Sequence, residues 1–226
     1  MESINYSMRE ASIDFKIVVV NDGSSDKTAD IVKSMQHKIP VELINHNKNM
    51  GLGEAIRSGF TAGLNSADER NIIITMDADN SHRPELILKM IAMIREGADI
   101  AIASRYQPGS RTKGIPLSRV FLSRAASTVM RILFPIRGVK DYTNGYRAYR
   151  ADVLRLAFET YGKEFVSETG FSCMIEILLK LRALDLVMIE VPMILRYDKK
   201  KGDSKMNVSK TIINTLKLIF RRMAGR

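Results

Sequence analysis

The sequence predicts an α/β fold: a mostly parallel, Rossmann-like sheet with helices on both faces. Three observations carry this. Short β-branched runs at 15–20, 41–44, 71–75 and 99–103 alternate with apolar patterns of helical period. Polar turns rich in Asn, Asp, Gly and Ser close the first and third of these runs. With 226 residues, 45% hydrophobic and 27% charged, the chain has the length and composition of a globular protein with a substantial core.

Residues 15–20 read as a strand ending in Asn21-Asp22-Gly23-Ser24-Ser25-Asp26, with a helix over about 27–37 whose Ile31, Val32 and Met35 share a face. A short strand at 41–44 leads to Asn49-Met50-Gly51-Leu52-Gly53 and a helix through Ala55, Ile56, Phe60 and Leu64. The Gly51-Leu52-Gly53 turn suits either a tight loop into that helix or backbone N–H groups near a phosphate. Next comes Ile72-Ile73-Ile74-Thr75, then Met76-Asp77-Ala78-Asp79, and a helix over 84–96 opened by Pro84. The run at 99–103 ends in Ser104-Arg105-Tyr106. Residues 107–114, with two Gly, one Pro and two basic side chains, are expected to form a mobile loop.

A helix over 116–134 carries Leu117, Val120, Phe121, Val129, Ile132 and Leu133, interrupted by Arg119, Arg124 and Arg131. It fits a lipid interface, or a core-packing helix with a solvated basic face. A polar turn enters a strand at 146–149, and a helix over 167–184 contains Glu176 among apolar neighbours, where a structural ion pair is expected. Residues 186–196 read as one strand, with Pro192 marking an edge or bulge. The tail over 208–222 is amphipathic, with Ile212, Ile213, Leu216, Ile219 and Phe220 expected to face one way, onto the sheet or onto lipid.

The charge is unevenly spread. Residues 1–104 carry 11 basic and 15 acidic side chains, a net −4, and residues 105–226 carry 24 and 10, a net +14. That half is expected to face an anion: nucleic acid, phospholipid or a phosphorylated substrate. A single Cys173 excludes an internal disulfide, and three histidines without ligand spacing argue against zinc. No run approaches the roughly 18 apolar residues of a membrane span, and the N-terminus has no signal-peptide core. A cytoplasmic protein is expected.

The chemistry centres on Asp77-Ala78-Asp79. Ligands bind open α/β sheets at the carboxyl ends of strands. Two carboxylates there can hold a hard divalent cation, which in turn grips a diphosphate. A surface turn with an N-cap aspartate is the plain alternative. Asp22, after another strand, points toward the same crevice or caps a helix. Arg105 offers a planar fork for phosphate, or neutralises the aspartates.

The ordered series VVVNDGSSDKT, NMGLGEAIRSGF, ITMDADNSHRPE, IASRY, DYTNGYRAY and GDSKM resembles the inverting family-two glycosyltransferases of the GT-A type, within them the dolichyl-phosphate mannose synthase branch. The resemblance runs from about residue 15 to the C-terminus. It implies one GT-A-like domain over 1–226, with a nucleotide-sugar half (13–106) and an acceptor- and membrane-facing half (107–226). It implies that Val20, Asp22 and Ala78 contact the nucleotide, and that Asp79, supported by Asp77 and Ser81, holds Mg²⁺ or Mn²⁺. It further implies that Arg105, Lys199 and Lys205 face the diphosphate, and that Arg119 and Ser123 hold the acceptor phosphate. The donor expected first is GDP-mannose and second UDP-glucose; the acceptor is a polyprenyl phosphate, with peripheral association at the cytoplasmic membrane face. A nucleic-acid partner leaves Asp22, Asp77 and Asp79 unexplained. The family's first strand, with its Pro-x-Tyr-Asn-Glu-like segment, has no match here. Its expected place is mid-sheet beside 15–20, and MESINYSMREAS resembles the tail of the helix that follows it.

Overall fold

The computed structural model describes residues 1–199 and 208–223, without the side chains at 118, 119, 199, 208–210, 212, 222 and 223. In chain order the elements are α1 (Glu2–Glu10), β1 (Ile17–Asp22), α2 (Thr28–Met35), β2 (Val41–His46), α3 (Leu52–Asn65), β3 (Ile72–Thr75), α4 (Leu86–Arg95) and β4 (Ile100–Ser104). Then follow β5 (Arg111–Lys113), α5 (Leu117–Leu133), β6 (Arg147–Arg150), α6 (Ala151–Tyr161), α7 (Cys173–Arg182), β7 (Met188–Pro192), β8 (Ile194–Arg196) and α8 (Val208–Met223).

The main sheet has the order β3-β6-β4-β7. β4 and β7 are parallel, while β6 runs antiparallel to both its neighbours, so the expected α/β sheet holds one inserted reversed strand. Alternation along the strands divides the core in two. Ile100, Ile102 and Tyr149 pack on one side with Phe60, Leu154 and Leu178. Ala101, Ala103 and Ala148 pack on the other with Met90, Ile91 and Met8. Small alanines on that face let α4 lie close, and Phe60 meets Tyr149 edge-on at 5.3 Å across the first.

β1 and β2 form a separate parallel pair. β1 is not hydrogen-bonded to β3, although α3 packs on both strands. A Cβ on Gly59 of α3 would lie 3.6 Å from Val20, and one on Gly63, a turn later, 3.3 Å from Ile73. The helix therefore bridges a seam. Burial records its effect. β4, paired on both edges, is buried at every position, whereas Ile72–Thr75, no less apolar but paired on one edge, is only half-buried throughout. Residues 17–20 and 71–76 line a cleft of about 2010 Å³ together with α1, α3 and α4.

Several expectations change. Residues 107–114 are not simply a loop: Arg111–Lys113 is β5, paired in parallel with β8. The strand expected over 186–196 divides at Met193, because β7 pairs with β4 and β8 with β5. α6 follows β6 directly and was missed, although Val153, Leu154 and Ala157 mark its buried face. The apolar residues of α8 do not all face one way: Ile219 joins the core with Leu218, while Ile213, Leu216 and Phe220 are exposed. Glu176 is buried and paired with Lys180 at 2.7 Å, and Cys173 is packed in the core. Among the described residues no helix is long and apolar enough to cross a membrane.

Candidate active site

The Asp77-Ala78-Asp79 turn leaves the carboxyl end of β3 as the sequence predicts. The Asp79 carboxylate accepts from the Ser81 N–H (3.1 Å) and hydroxyl (2.5 Å). This local loop closes with Asn80 at φ 63°, a left-handed conformation that Asn tolerates. Ser81 is buried and its carbonyl accepts from Arg196 N at 2.9 Å, tying the turn to β8. His82, also buried, stacks on Tyr146 at 4.8 Å and accepts from Asp77 N at 3.3 Å. Asp77 itself is exposed.

Arg105 finds its fork partner in Asp141, not in Asp77 or Asp79. Its Nε and Nη2 reach the two Asp141 oxygens at 2.7 and 2.6 Å, and Nη2 also donates to Thr143 Oγ1 at 2.6 Å. Asp141 is wholly buried and also accepts from the N–H groups of Arg105, Thr143 and Asn144. Burial opposes charge on both partners, but their proximity outweighs it: the carboxyl is held below its usual range and the guanidinium above its own. Thr143 Oγ1 is 3.1 Å from Ser123 Oγ, which is 3.0 Å from the Tyr106 hydroxyl. The result is a cation backed by an acid and fronted by three hydroxyls.

Val20, Asp77, Ala78, Asp79, Ser81, Arg105 and Ser123 all line the same cleft, with Thr143 and Tyr106. Asp22 is not among the lining residues. Its carboxylate is taken up by His46 Nδ1 (2.7 Å) and the N–H groups of Met50 and Gly51 (both 2.8 Å). Burial raises its pKa, but these partners prevail and hold it below the ordinary carboxylate value. His46 in turn is 2.9 Å from Ser58 Oγ through Nε2.

The Gly51-Leu52-Gly53 turn is the tight-loop alternative. Gly51 donates to Asp22 and Gly53 to Thr169 O at 3.1 Å, so these N–H groups are engaged within the fold. A Cβ at Gly53 would fall 1.8 Å from Glu168 O, which is why glycine stands there. The side chains of Arg119 and Lys199, and residue Lys205 altogether, lie outside the described residues.

The donor set is hard oxygen: two carboxylates and a serine hydroxyl. Among the described residues no group of three His, Cys, Asp or Glu could hold a metal ion by itself. Two carboxylates and a hydroxyl suit a small hard cation whose shell is completed by substrate phosphates and water. Sequence reasoning did not weigh Asp141 as Arg105's partner or His46 as Asp22's, since 36 and 24 residues separate the pairs. The only signal was the polar turn Asp141-Tyr142-Thr143.

The sheet, with its crevice at the carboxyl end of β3, defines an α/β fold of the GT-A glycosyltransferase type. Solved structures of glucosyl-3-phosphoglycerate synthase from Mycobacterium tuberculosis share it. One, with phosphoglyceric acid, has a TM-score of 0.62 at 16% identity, covering 96% of this chain and 74% of that one. Another, with Mn²⁺, UDP and phosphoglyceric acid, has a TM-score of 0.65 at 14% identity, covering 97% and 70%.

The chain belongs to glycosyl transferase family 2, whose model matches residues 4–157. It is 37% identical over 212 residues to a dolichol-phosphate mannosyltransferase of Pyrococcus furiosus, covering 93% of this chain and 56% of the relative. It is 34% identical over 195 residues to a polyprenol monophosphomannose synthase of Mycolicibacterium smegmatis, covering 85% and 71%. To an undecaprenyl-phosphate mannosyltransferase of Micrococcus luteus it is 32% identical over 211 residues, covering 92% and 83%. The chain thus spans little more than half the length of the first of these relatives.

Proposed function

We propose that the chain transfers mannose from GDP-mannose to a polyprenyl phosphate at a membrane surface. The observation that carries this is that Asp77, Asp79, Arg105 and Ser123 line the same cleft, with Asp77 near enough to Arg105 to favour its charge. The names of the three relatives support mannose and a polyprenyl phosphate. UDP-glucose remains the second donor, since solved structures of the same fold bind UDP. In this reading residues 13–106 bind the nucleotide sugar and residues 107–226 face the acceptor.

The acceptor phosphate is already an anion at neutral pH, so the reaction needs alignment and charge stabilisation more than a base. A phosphate oxygen attacks the anomeric carbon as the nucleoside diphosphate leaves from the opposite face, inverting the centre. Asp79, with Asp77 and Ser81, would hold Mg²⁺ or Mn²⁺, which stabilises the negative charge of a departing diphosphate. Asp141 keeps the Arg105 guanidinium charged and oriented beside Thr143. Ser123, Thr143 and Tyr106 offer hydroxyls to the incoming phosphate; Arg119, Lys199 and Lys205 are assigned to phosphate by family resemblance. Val20 and Ala78 border the nucleotide, and Asp22 acts by holding the Met50–Gly51 turn. Peripheral attachment to a membrane is supported by the exposed Leu117, Phe121 and Ile132 of α5, and the cytoplasmic face is assigned by family resemblance.

Transfer of labelled mannose to dolichyl phosphate with added Mn²⁺ tests the reading. Asp79→Ala should reduce transfer at least a hundredfold, and undiminished transfer would exclude the metal role. The open seam between β1 and β3 favours a second reading, binding of lipid or a partner without transfer. Titration with GDP and UDP separates the two, because that reading predicts no nucleotide binding.

A further inference from the structure

Beside the cleft, α5 carries a feature the transfer reaction does not use. Arg124, Ser127, Thr128 and Arg131 recur at helical spacing and form one stripe. With Lys140 and the segment 105–110 they line a pocket of about 580 Å³ that contains no acidic side chain. Arg105 is paired with Asp141, whereas Arg124, Arg131 and Lys140 have no ion-pair partner among the described residues. Glu190 accepts from Gln107 and from the N–H groups of Lys140 and Asp141, and is not part of the lining.

Ser127 supplies an independent sign. It is 2% exposed and its Oγ has no hydrogen-bond partner among the described residues. A buried hydroxyl left unpaired is costly, and a ligand oxygen would remove that cost. Three cations that line one pocket with an unpaired hydroxyl suit a tetrahedral oxyanion.

We propose that this pocket binds the phosphate of an anionic phospholipid headgroup, at a site separate from the acceptor phosphate at Ser123. Arg105, Tyr106 and Arg124 line both cavities, and the Tyr106 hydroxyl lies on Ser123, whereas Ser127, Thr128, Arg131 and Lys140 line the smaller pocket and not the cleft. Lipid is favoured over free phosphate by the neighbouring stripe of α5, where Leu117, Phe121 and Ile132 are 85%, 72% and 73% exposed. A helix whose apolar stripe enters the acyl boundary carries its adjacent cations at headgroup depth. The inference deepens, and rests on, the membrane-surface part of the proposed function. It makes no use of the donor site.

Co-sedimentation of the full chain with phosphatidylcholine vesicles, with and without phosphatidylglycerol, tests it. Phosphatidylglycerol-dependent binding should fall at least tenfold in Arg124→Gln/Arg131→Gln and roughly fivefold in Ser127→Ala, which changes no charge. Arg137→Gln/Arg182→Gln, an equal charge change outside the pocket, should lose less than threefold. Equal losses in the two double variants, or unchanged binding in Ser127→Ala, would show diffuse attraction and overturn the site. Inorganic phosphate that shifts the Ser127 and Thr128 amide resonances saturably, without any vesicle response, would overturn the lipid assignment. GDP titration of the same samples reads the donor site separately, so a failed transferase reading leaves the vesicle result interpretable. Should the double variant not fold, Ser127→Ala alone decides.

Discussion

Replacing Asp141 by Ala removes the acid that both Arg105 nitrogens and three backbone N–H groups use. The carboxylate is wholly buried and the Arg105 side chain is 18% exposed, so solvent replaces the lost acid only in part. Breaking a buried pair from one side costs about 3–5 kcal/mol, because the remaining charge is uncompensated. For a domain of this size that corresponds to roughly 6–20 °C in Tm. Asp141→Asn keeps the shape and one acceptor oxygen and should cost about 1.5–3 kcal/mol. Arg105→Met/Asp141→Leu, which removes both charges, should recover more than half of the Asp141→Ala loss.

Urea unfolding followed by circular dichroism at neutral pH measures all three. The pH dependence has a definite sign. Asp141 titrates lower folded than unfolded, so in that window the unfolded state binds more protons and stability rises with pH. The contribution is complete above the unfolded value of about 4 and is lost as pH falls through the folded value. Wild type and Asp141→Ala should therefore converge in acid. A loss under about 1 kcal/mol at neutral pH, or a difference that grows on acidification, would refute the ion pair as the organiser of this site.

Amides of 17–20 and 72–75 that face the seam should exchange with solvent roughly tenfold or more faster than those of Ile100–Ser104, read by mass spectrometry or NMR; equal protection would mean the seam is closed in solution. Gly53→Ala drives a Cβ into Glu168 O and should destabilise by about 3 kcal/mol in thermal unfolding, whereas Gly59→Ala in the same helix, whose Cβ would meet only Val20 at an ordinary 3.6 Å, is the control. His46→Ala strips Asp22 and Ser58 of a partner and should cost about 1–3 kcal/mol in urea while weakening GDP binding, measured by calorimetry; an unchanged GDP affinity would dissociate Asp22 from the donor site.

Local chemistry was enough to reveal much of this protein. The β-branched runs, their alternation with helical patterns and the Asp77-Ala78-Asp79 turn after Ile72–Thr75 depend on neighbours a few residues apart, and each stands where the sequence put it. The buried face of α6, marked by Val153, Leu154 and Ala157, is equally local in origin. Other features have no local origin. β6 is reversed between β3 and β4 because it arrives after the long excursion through α5, and nothing within Arg147–Arg150 encodes that direction. Arg105 looked like a free phosphate fork until Asp141 came to its side, and Asp22 like an open ligand until His46 and the Gly51 turn closed on it. A side chain's type is set by the sequence, but its partner is set by which distant segment packs beside it. In a buried setting that partner decides whether a charge is available to a ligand or already held by the fold.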